Sequence, residues 1–339
     1  LSADLPADLP TASLYVPATH PDLPAIAHGD KLPDLHSVIF CTEDSVAERE
    51  LSYALFNLSL TLQHMPPERP TRRFVRVRNP EVLARVLAMP GVDKLSGFVL
   101  PKITRHNFHA YFEQIGQRPF ALMPTLETIE VFDEQEMQQL RLLLQEPQIR
   151  PRIMALRIGG NDLLALLGLR RPRHATLYQT PIGALIARLV CLFRPHGFAL
   201  TAPVFEHLDQ VALLAAEVQQ DLAHGLSGKS AIHPEQIGII ERQFRVSLAD
   251  VEVARKILDP ASPAVFRLHD SMCEVATLKT WAGRTLAQAR MYGVQSGVQS
   301  GVQGGVQSGV QSAVPGLPPG MDVRSAARSP TPSGIDQDG

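Results

Sequence analysis

The strongest constraint on this chain is an alternation. Apolar runs recur at residues 13–18, 37–41, 72–78, 97–102, 120–127, 153–162, 198–205 and 228–233, and each reads as a buried strand. Between them the spacing of apolar residues becomes helical. Residues 45–63 carry Val46, Leu51, Leu55, Leu58 and Leu62 on one face and stop at Pro66-Pro67. Further helices are expected over 81–88, 105–115, 131–144, 182–193 and 208–222, with Pro234 opening another. Eight strand–helix units within residues 13–245 predict an α/β protein built as a (β/α)8 barrel of the TIM type, which takes ~250 residues. An open doubly wound sheet is the alternative, but it prefers fewer strands and an early glycine-rich phosphate loop. No GxGxxG follows the first strand, and residues 225–230 (GLSGKS) have the wrong glycine spacing for a GxxxxGK[ST] loop.

Both flanks differ in character. Residues 1–12 are proline-rich and are expected to form a flexible arm. A C-terminal helical extension is expected over 246–292, with helices at 248–258 and 271–292. The second is amphipathic through Met272, Val275, Leu278, Trp281 and Leu286, a face that must be buried on its own barrel or on a neighbouring subunit. Residues 293–339 turn into a glycine-rich GVQS repeat whose four-residue period fits no heptad or solenoid. It is expected to be a disordered tail, with partner binding as the minor alternative.

With 339 residues, 45% hydrophobic, the chain can bury one large core. A formal charge of −2 gives no field for nucleic acid or an anionic membrane surface. Cys41, Cys191 and Cys273 are widely spaced and odd in number, as expected of reduced thiols in a cytoplasmic protein. No apolar run approaches the ~20 residues of a membrane span, and the stretch from Leu1 shows no basic-then-apolar leader pattern.

In a barrel of this kind, chemistry belongs to the carboxyl ends of the strands. Those positions hold Glu43 and Asp44, Arg76 and Arg78, Lys102, Glu127, Asn161 and Asp162, Glu206, and Lys229 and His233. Glu127 and Asp162 leave neighbouring strands, so the two carboxylates could share one hard divalent cation such as Mg²⁺ (or Mn²⁺). The plainer reading is that each begins the following helix. Acids gathered with arginine suggest a metal-bound, anionic carbonyl substrate, with arginine holding a carboxylate or enolate oxygen. The basic run 168–174 (GLRRPRH) reads either as a solvated loop or as a grip for phosphates.

Six motifs, in order, resemble the HpcH/HpaI aldolase and citrate lyase β-subunit superfamily. They are Thr42-Glu43-Asp44-Ser45-Val46, Arg76-Val77-Arg78-Asn79-Pro80, Leu100-Pro101-Lys102, Glu127-Thr128, Gly159-Gly160-Asn161-Asp162-Leu163, and the GxxGKxxIHPxQ signature at 225–236. The wording CTEDSV, RIGGND and TAPVFE is more similar to a divergent, lyase-like branch linked with bacterial tellurite-resistance gene clusters. The resemblance implies a Mg²⁺-dependent barrel that makes or breaks C–C bonds next to a carbonyl, with Glu127 and Asp162 as metal ligands. It implies that Arg76 binds substrate oxygens and that Glu43 and Asp44 orient that arginine or a metal-bound water. Lys102 falls at the pocket as a substrate-binding or a structural lysine, and His233 braces the strand-8 loop or acts as a base. It further implies that a late acid reaches a neighbouring subunit's site in a homo-oligomer, a trimer or hexamer, and Glu274 is the candidate. Two departures stand out: the seventh strand carries no acid before Glu206, and Glu274 stands where related malyl-CoA lyases supply aspartate.

The expected function is therefore a carbon–carbon lyase or aldolase acting on a hydroxy- or keto-acid, with coenzyme A as a possible part of the substrate. A thioesterase on the same framework and a non-catalytic scaffold are the alternatives.

Overall fold

A computed structural model describes residues 12–67 and 71–295. Apart from Ala12 and residues 293–295, the expected arm and tail lie outside the described residues. Strands β1 (Ala12–Pro17), β2 (Ser37–Cys41), β3 (Arg72–Arg76) and β4 (Gly97–Leu100) alternate with helices α1 (Leu23–His28), α2 (Leu51–His64) and α3 (Pro80–Leu87). After β4 come α4 (Phe108–Ile115), β5 (Ala121–Leu126), α5 (Glu134–Leu144), β6 (Leu156–Ile158), α6 (Gly160–Leu166) and α7 (Pro181–Phe193). The barrel is completed by β7 (Leu200–Thr201), α8 (Val211–Ala223), β8 (Lys229–Ala231) and α9 (Pro234–Gln243).

All eight strands are parallel, in the order β7-β6-β5-β4-β3-β2-β1-β8. Closure is made where the Ala202 N–H donates to the Gly228 carbonyl at 2.7 Å and the Ser227 N–H to the Leu200 carbonyl at 2.8 Å. The expected (β/α)8 barrel is the observed one. Its seventh strand is much shorter than residues 198–205, because Pro203 has no N–H to continue a ladder and the chain leaves the wall there.

Period-two alternation sorts the strand residues between two cores. Inward-facing Ile39, Phe74, Val99, Met123, Ala155 and Ala199 fill the barrel centre, and Tyr15 packs against them. Outward-facing residues pack under the helices in one continuous cluster. Two residues farther along their strands from that inner layer stand Cys41, Arg76, Thr125 and Arg157, so the interior turns polar toward the carboxyl ends. Helix starts follow their caps: Asn79 accepts from the Val82 N–H with Pro80 next in line, and Asp133 and Thr180 cap α5 and α7.

Beyond the barrel, α10 (Leu248–Leu258) is followed by a hairpin, β9 (Val265–Leu268) and β10 (Ser271–Glu274), and then by α11 (Val275–Tyr292). The long helix expected from residue 271 thus starts at Val275. Its first four residues are a strand, because His269 and Asp270 adopt positive φ (48° and 60°) and turn the chain back on itself. Part of the amphipathic face is covered within the chain, where Val275, Leu278 and Leu286 pack with Ala254, Ile257, Cys273 and Ala282, while Met272 and Trp281 are exposed. Among the described residues no helix is long and apolar enough to cross a membrane.

Candidate active site

At the carboxyl ends of the strands lies a cavity of about 340 Å³ whose charged lining is Asp44, Arg76, Glu127, Arg157 and Asp162. Glu127 follows the last residue of β5 and is buried, 4% exposed. Its Oε1 accepts the Lys102 backbone N–H at 2.9 Å. Burial pushes its carboxyl up to about 7, against the pull of that N–H and the Lys102 ammonium. The close approach needs Gly159: a Cβ there would lie 2.2 Å from Glu127 Oε2. Asp162 stands in the first turn of α6 and lines the same cavity.

Lys102 joins the acids. Its Nζ is 3.1 Å from Glu43 Oε1, 3.1 Å from Asp162 Oδ1 and 3.7 Å from Asp44 Oδ1. Burial disfavours its charge, but Glu127, Glu43 and Asp162 raise it well above the ordinary lysine value. Its backbone is left-handed (φ 51°), a strained conformation for a side chain of this size and one common at functional sites. The Asn107 side chain secures that turn by donating to the Lys102 carbonyl at 2.8 Å.

Arg76 is held from three sides. Nη1 lies 3.0 Å from Glu43 Oε2 and 3.2 Å from Asp44 Oδ2, while Nε and Nη2 donate to Cys41 Sγ at 3.2 and 3.1 Å. The Tyr15 ring centroid is 4.8 Å from its Cζ. Burial raises the Glu43 carboxyl, as does sharing a hydrogen bond with Asp44. Asp44 is exposed at the rim; partial desolvation raises its carboxyl, yet Glu43, Arg76 and Lys102 hold it below its ordinary value.

Residues 7–294 match the model of a family described as C–C bond lyase of the TIM-barrel fold. The chain belongs to this C–C bond lyase family. It is 29% identical over 224 residues to a (3S)-malyl-CoA thioesterase of Cereibacter sphaeroides, covering 65% of this chain and 73% of that one. It is 25% identical over 304 residues to the human mitochondrial citramalyl-CoA lyase, covering 80% of this chain and 84% of the relative. Two solved structures share the fold. Protein CitE of Mycobacterium tuberculosis, in complex with magnesium, acetoacetate and coenzyme A, superposes with a TM-score of 0.64 at 20% identity, over 84% of this chain and 100% of CitE. A citrate lyase of Burkholderia xenovorans gives 0.68 at 17% identity, over 85% and 94%.

Not every candidate of this C–C bond lyase meets at the cavity. Arg78 turns back and clamps the loop after β2, donating to the Thr42 carbonyl at 3.2 Å and pairing with Glu48. Lys229 faces the opposite way, out of the barrel wall, where its fully buried Nζ lies 2.9 Å from both Glu217 Oε1 and Asp221 Oδ2. It is therefore a structural cation, not a rim residue. His233 braces, as one of its two readings held: its side chain accepts the Glu235 N–H at 3.3 Å and caps α9. From the basic run, Arg171 is neither solvated nor a phosphate grip, since it is buried against Glu217 at 2.6 Å. Glu206 lines a separate surface hollow with Arg170 and Arg173. Glu274 is exposed at the end of β10 and is not part of the cavity lining of its own chain.

Cavity residues that sequence reasoning missed are Tyr15, Thr125, Arg157 and Ser230. For Arg157 a signal was present, a lone charge inside the apolar run MALRIGG. Among the described residues no three His, Cys, Asp or Glu side chains are grouped to enclose a metal ion. The pair Glu127 and Asp162 fits a cation of another kind, one that takes one or two carboxylates and completes its shell with water and substrate oxygens.

Proposed function

We propose that the protein is a Mg²⁺-dependent (or Mn²⁺-dependent) lyase that breaks or forms the C–C bond next to the carbonyl of a hydroxy- or keto-acid carried as a coenzyme A thioester. One observation carries this reading. Four carboxylates (Glu43, Asp44, Glu127 and Asp162) meet three cations (Arg76, Lys102 and Arg157) around the cavity, and Glu127 titrates near neutrality as a result of its burial. Acids still outnumber cations there, which favours a bound divalent ion, and Glu127 and Asp162 would hold it. When bound, the metal supplies a Lewis acid for the substrate's carbonyl oxygens. Arg76 donates to a carboxylate or carbonyl oxygen of the substrate, and Glu43 and Asp44 orient its guanidinium. The negative charge that develops as the C–C bond breaks would meet the Arg76 guanidinium, and a donor fixed in advance in this way is usually a large part of such a site's rate enhancement. Lys102 bridges Glu43, Asp44 and Asp162 and offsets part of their charge.

The human citramalyl-CoA lyase among the relatives favours this chemistry, and the (3S)-malyl-CoA thioesterase favours a second: a thioesterase in which the same site directs water at the acyl carbon. Product analysis separates the two. With malyl-CoA or citramalyl-CoA as substrate, the lyase releases acetyl-CoA and a 2-oxo acid, whereas the thioesterase releases free thiol, scored directly with a thiol reagent. Turnover of neither thioester, at saturating Mg²⁺, contradicts both.

The reading extends to assembly in the cytoplasm as a trimer or hexamer, with Glu274 completing a neighbour's site. Its exposure, and its absence from its own chain's cavity, support that placement. Mixing Glu274→Gln subunits with Arg76→Ala subunits, each inactive alone, should restore part of the activity. A mixture that stays dead, with subunit exchange demonstrated, places the acid in its own chain.

A further inference from the structure

Arg157 differs from the other two cations of the site. It stands on β6 two residues past Ala155, so it points into the barrel, and it is 3% exposed while lining the cavity with Glu127 and Asp162. Among the described residues its partners are the Ser230 hydroxyl (Nη2 to Oγ, 2.6 Å), the Met123 sulfur at 3.7 Å, and the Tyr15 ring, whose centroid is 5.3 Å from Cζ. None is a carboxylate. Arg76 lies against the same ring but is paired with Glu43 and Asp44, and Lys102 is paired with Glu43, Asp44 and Asp162. A second observation points the same way: Thr125 Oγ1 is buried in the cavity lining and has no hydrogen-bond partner.

A buried guanidinium without a counter-anion is costly, and so is an unmet buried hydroxyl. Both costs vanish if an anion enters. The planar fork of N–H donors suits a carboxylate or a phosphate-like group, and Ser230 fixes one arm of that fork. We propose that Arg157, with Tyr15, Thr125 and Ser230, is a subsite for a second anionic group on the acid half of the substrate. The preferred acid therefore carries two acidic groups, one held at Arg76 and the Glu127–Asp162 pair and the other at Arg157. This rests on the lyase reading above, and it narrows the substrate class from any 2-oxo acid to a doubly anionic one.

The test is calorimetric binding of pyruvate, oxaloacetate and phosphonopyruvate to the full chain at saturating Mg²⁺. Wild type is compared with Arg157→Gln, Ser230→Ala and Glu127→Gln. The wild type should bind at least one dianion about tenfold or more tightly than pyruvate, the worth of one charge-assisted contact. Which dianion binds tighter tells carboxylate from phosphonate. Arg157→Gln should cut the dianion-to-pyruvate ratio by about tenfold, and Ser230→Ala by a smaller factor of about three. If Arg157→Gln does not fold, the fall in Ser230→Ala carries the test. An unchanged ratio in folded variants overturns the subsite. Mg²⁺-dependent pyruvate binding that is lost in Glu127→Gln would in that case keep the lyase reading. Failure of all three acids to bind with Mg²⁺ overturns the subsite and the lyase reading together.

Discussion

Two ionic clusters sit on opposite sides of the barrel wall, and they are built from similar residues to different ends. Behind the wall, Lys229 and Arg171 meet Glu217 and Asp221 in a fully buried, charge-balanced group. Glu217 accepts from Arg171 at 2.6 Å, the Leu177 N–H at 2.8 Å and Lys229 at 2.9 Å, and Asp221 accepts from the Tyr178 hydroxyl at 2.7 Å. Three donors hold Glu217 below its ordinary value despite burial, whereas the more enclosed and less well served Asp221 is raised. Within the wall's mouth, the Glu43–Asp44–Arg76–Lys102–Glu127–Asp162 group is open on one side and carries more acids than cations. The sealed cluster is charge-balanced and closed to solvent, so its work is to fasten α8 to β8. What marks the open one as a site is unbalanced charge beside a cavity.

That contrast can be broken by substitution. The largest effect is expected for Lys229→Met, which strands two buried carboxylates and should cost about 3–5 kcal/mol in urea unfolding. Asp162→Asn, at the open cluster, should stay within about 0.5 kcal/mol. Comparable losses in the two variants would erase the distinction. Next comes a pH effect on the metal-free protein. The Glu127 carboxyl is pushed up to about 7 when folded, against 4.5 for an ordinary glutamate, so the folded state holds its proton more tightly. Stability contributed at pH 4.5 is then lost as pH rises to 7, by on the order of 3 kcal/mol. Glu127→Gln should flatten this part of the stability-versus-pH curve; a mutant curve parallel to wild type would assign the slope elsewhere. Smaller still is Gly159→Ala, whose methyl overlaps Glu127 Oε2 and should cost about 1–3 kcal/mol by thermal melting. A neutral result would mean that Glu127 has room to move away.

Much of this was legible in the sequence, for physical reasons that also explain what was not. The barrel followed from alternation, since eight buried strands and their helices leave few other ways to cover both faces. Glu127, Asp162, Lys102 and the Glu43–Asp44 pair followed from their position past the end of a strand, and Arg76 from its place at the carboxyl end of β3. Lys229 was misplaced because a strand buried on both faces has no polar side to show which way a residue points. Arg157 and Tyr15 were passed over because they lie inside strands instead of after them. The β9–β10 hairpin was hidden because its turn uses His269 and Asp270 in place of the glycine or asparagine that signals positive φ.

Calorimetric titration of Mg²⁺ into wild type, Glu127→Gln, Asp162→Asn and Lys229→Met bears most directly on the central claim, that the unbalanced cluster is the metal-dependent site. The account predicts that the first two substitutions weaken binding about 10–100-fold in a folded protein, while any Lys229→Met protein that remains folded binds as wild type does. Unchanged Mg²⁺ affinity in both Glu127→Gln and Asp162→Asn would contradict it.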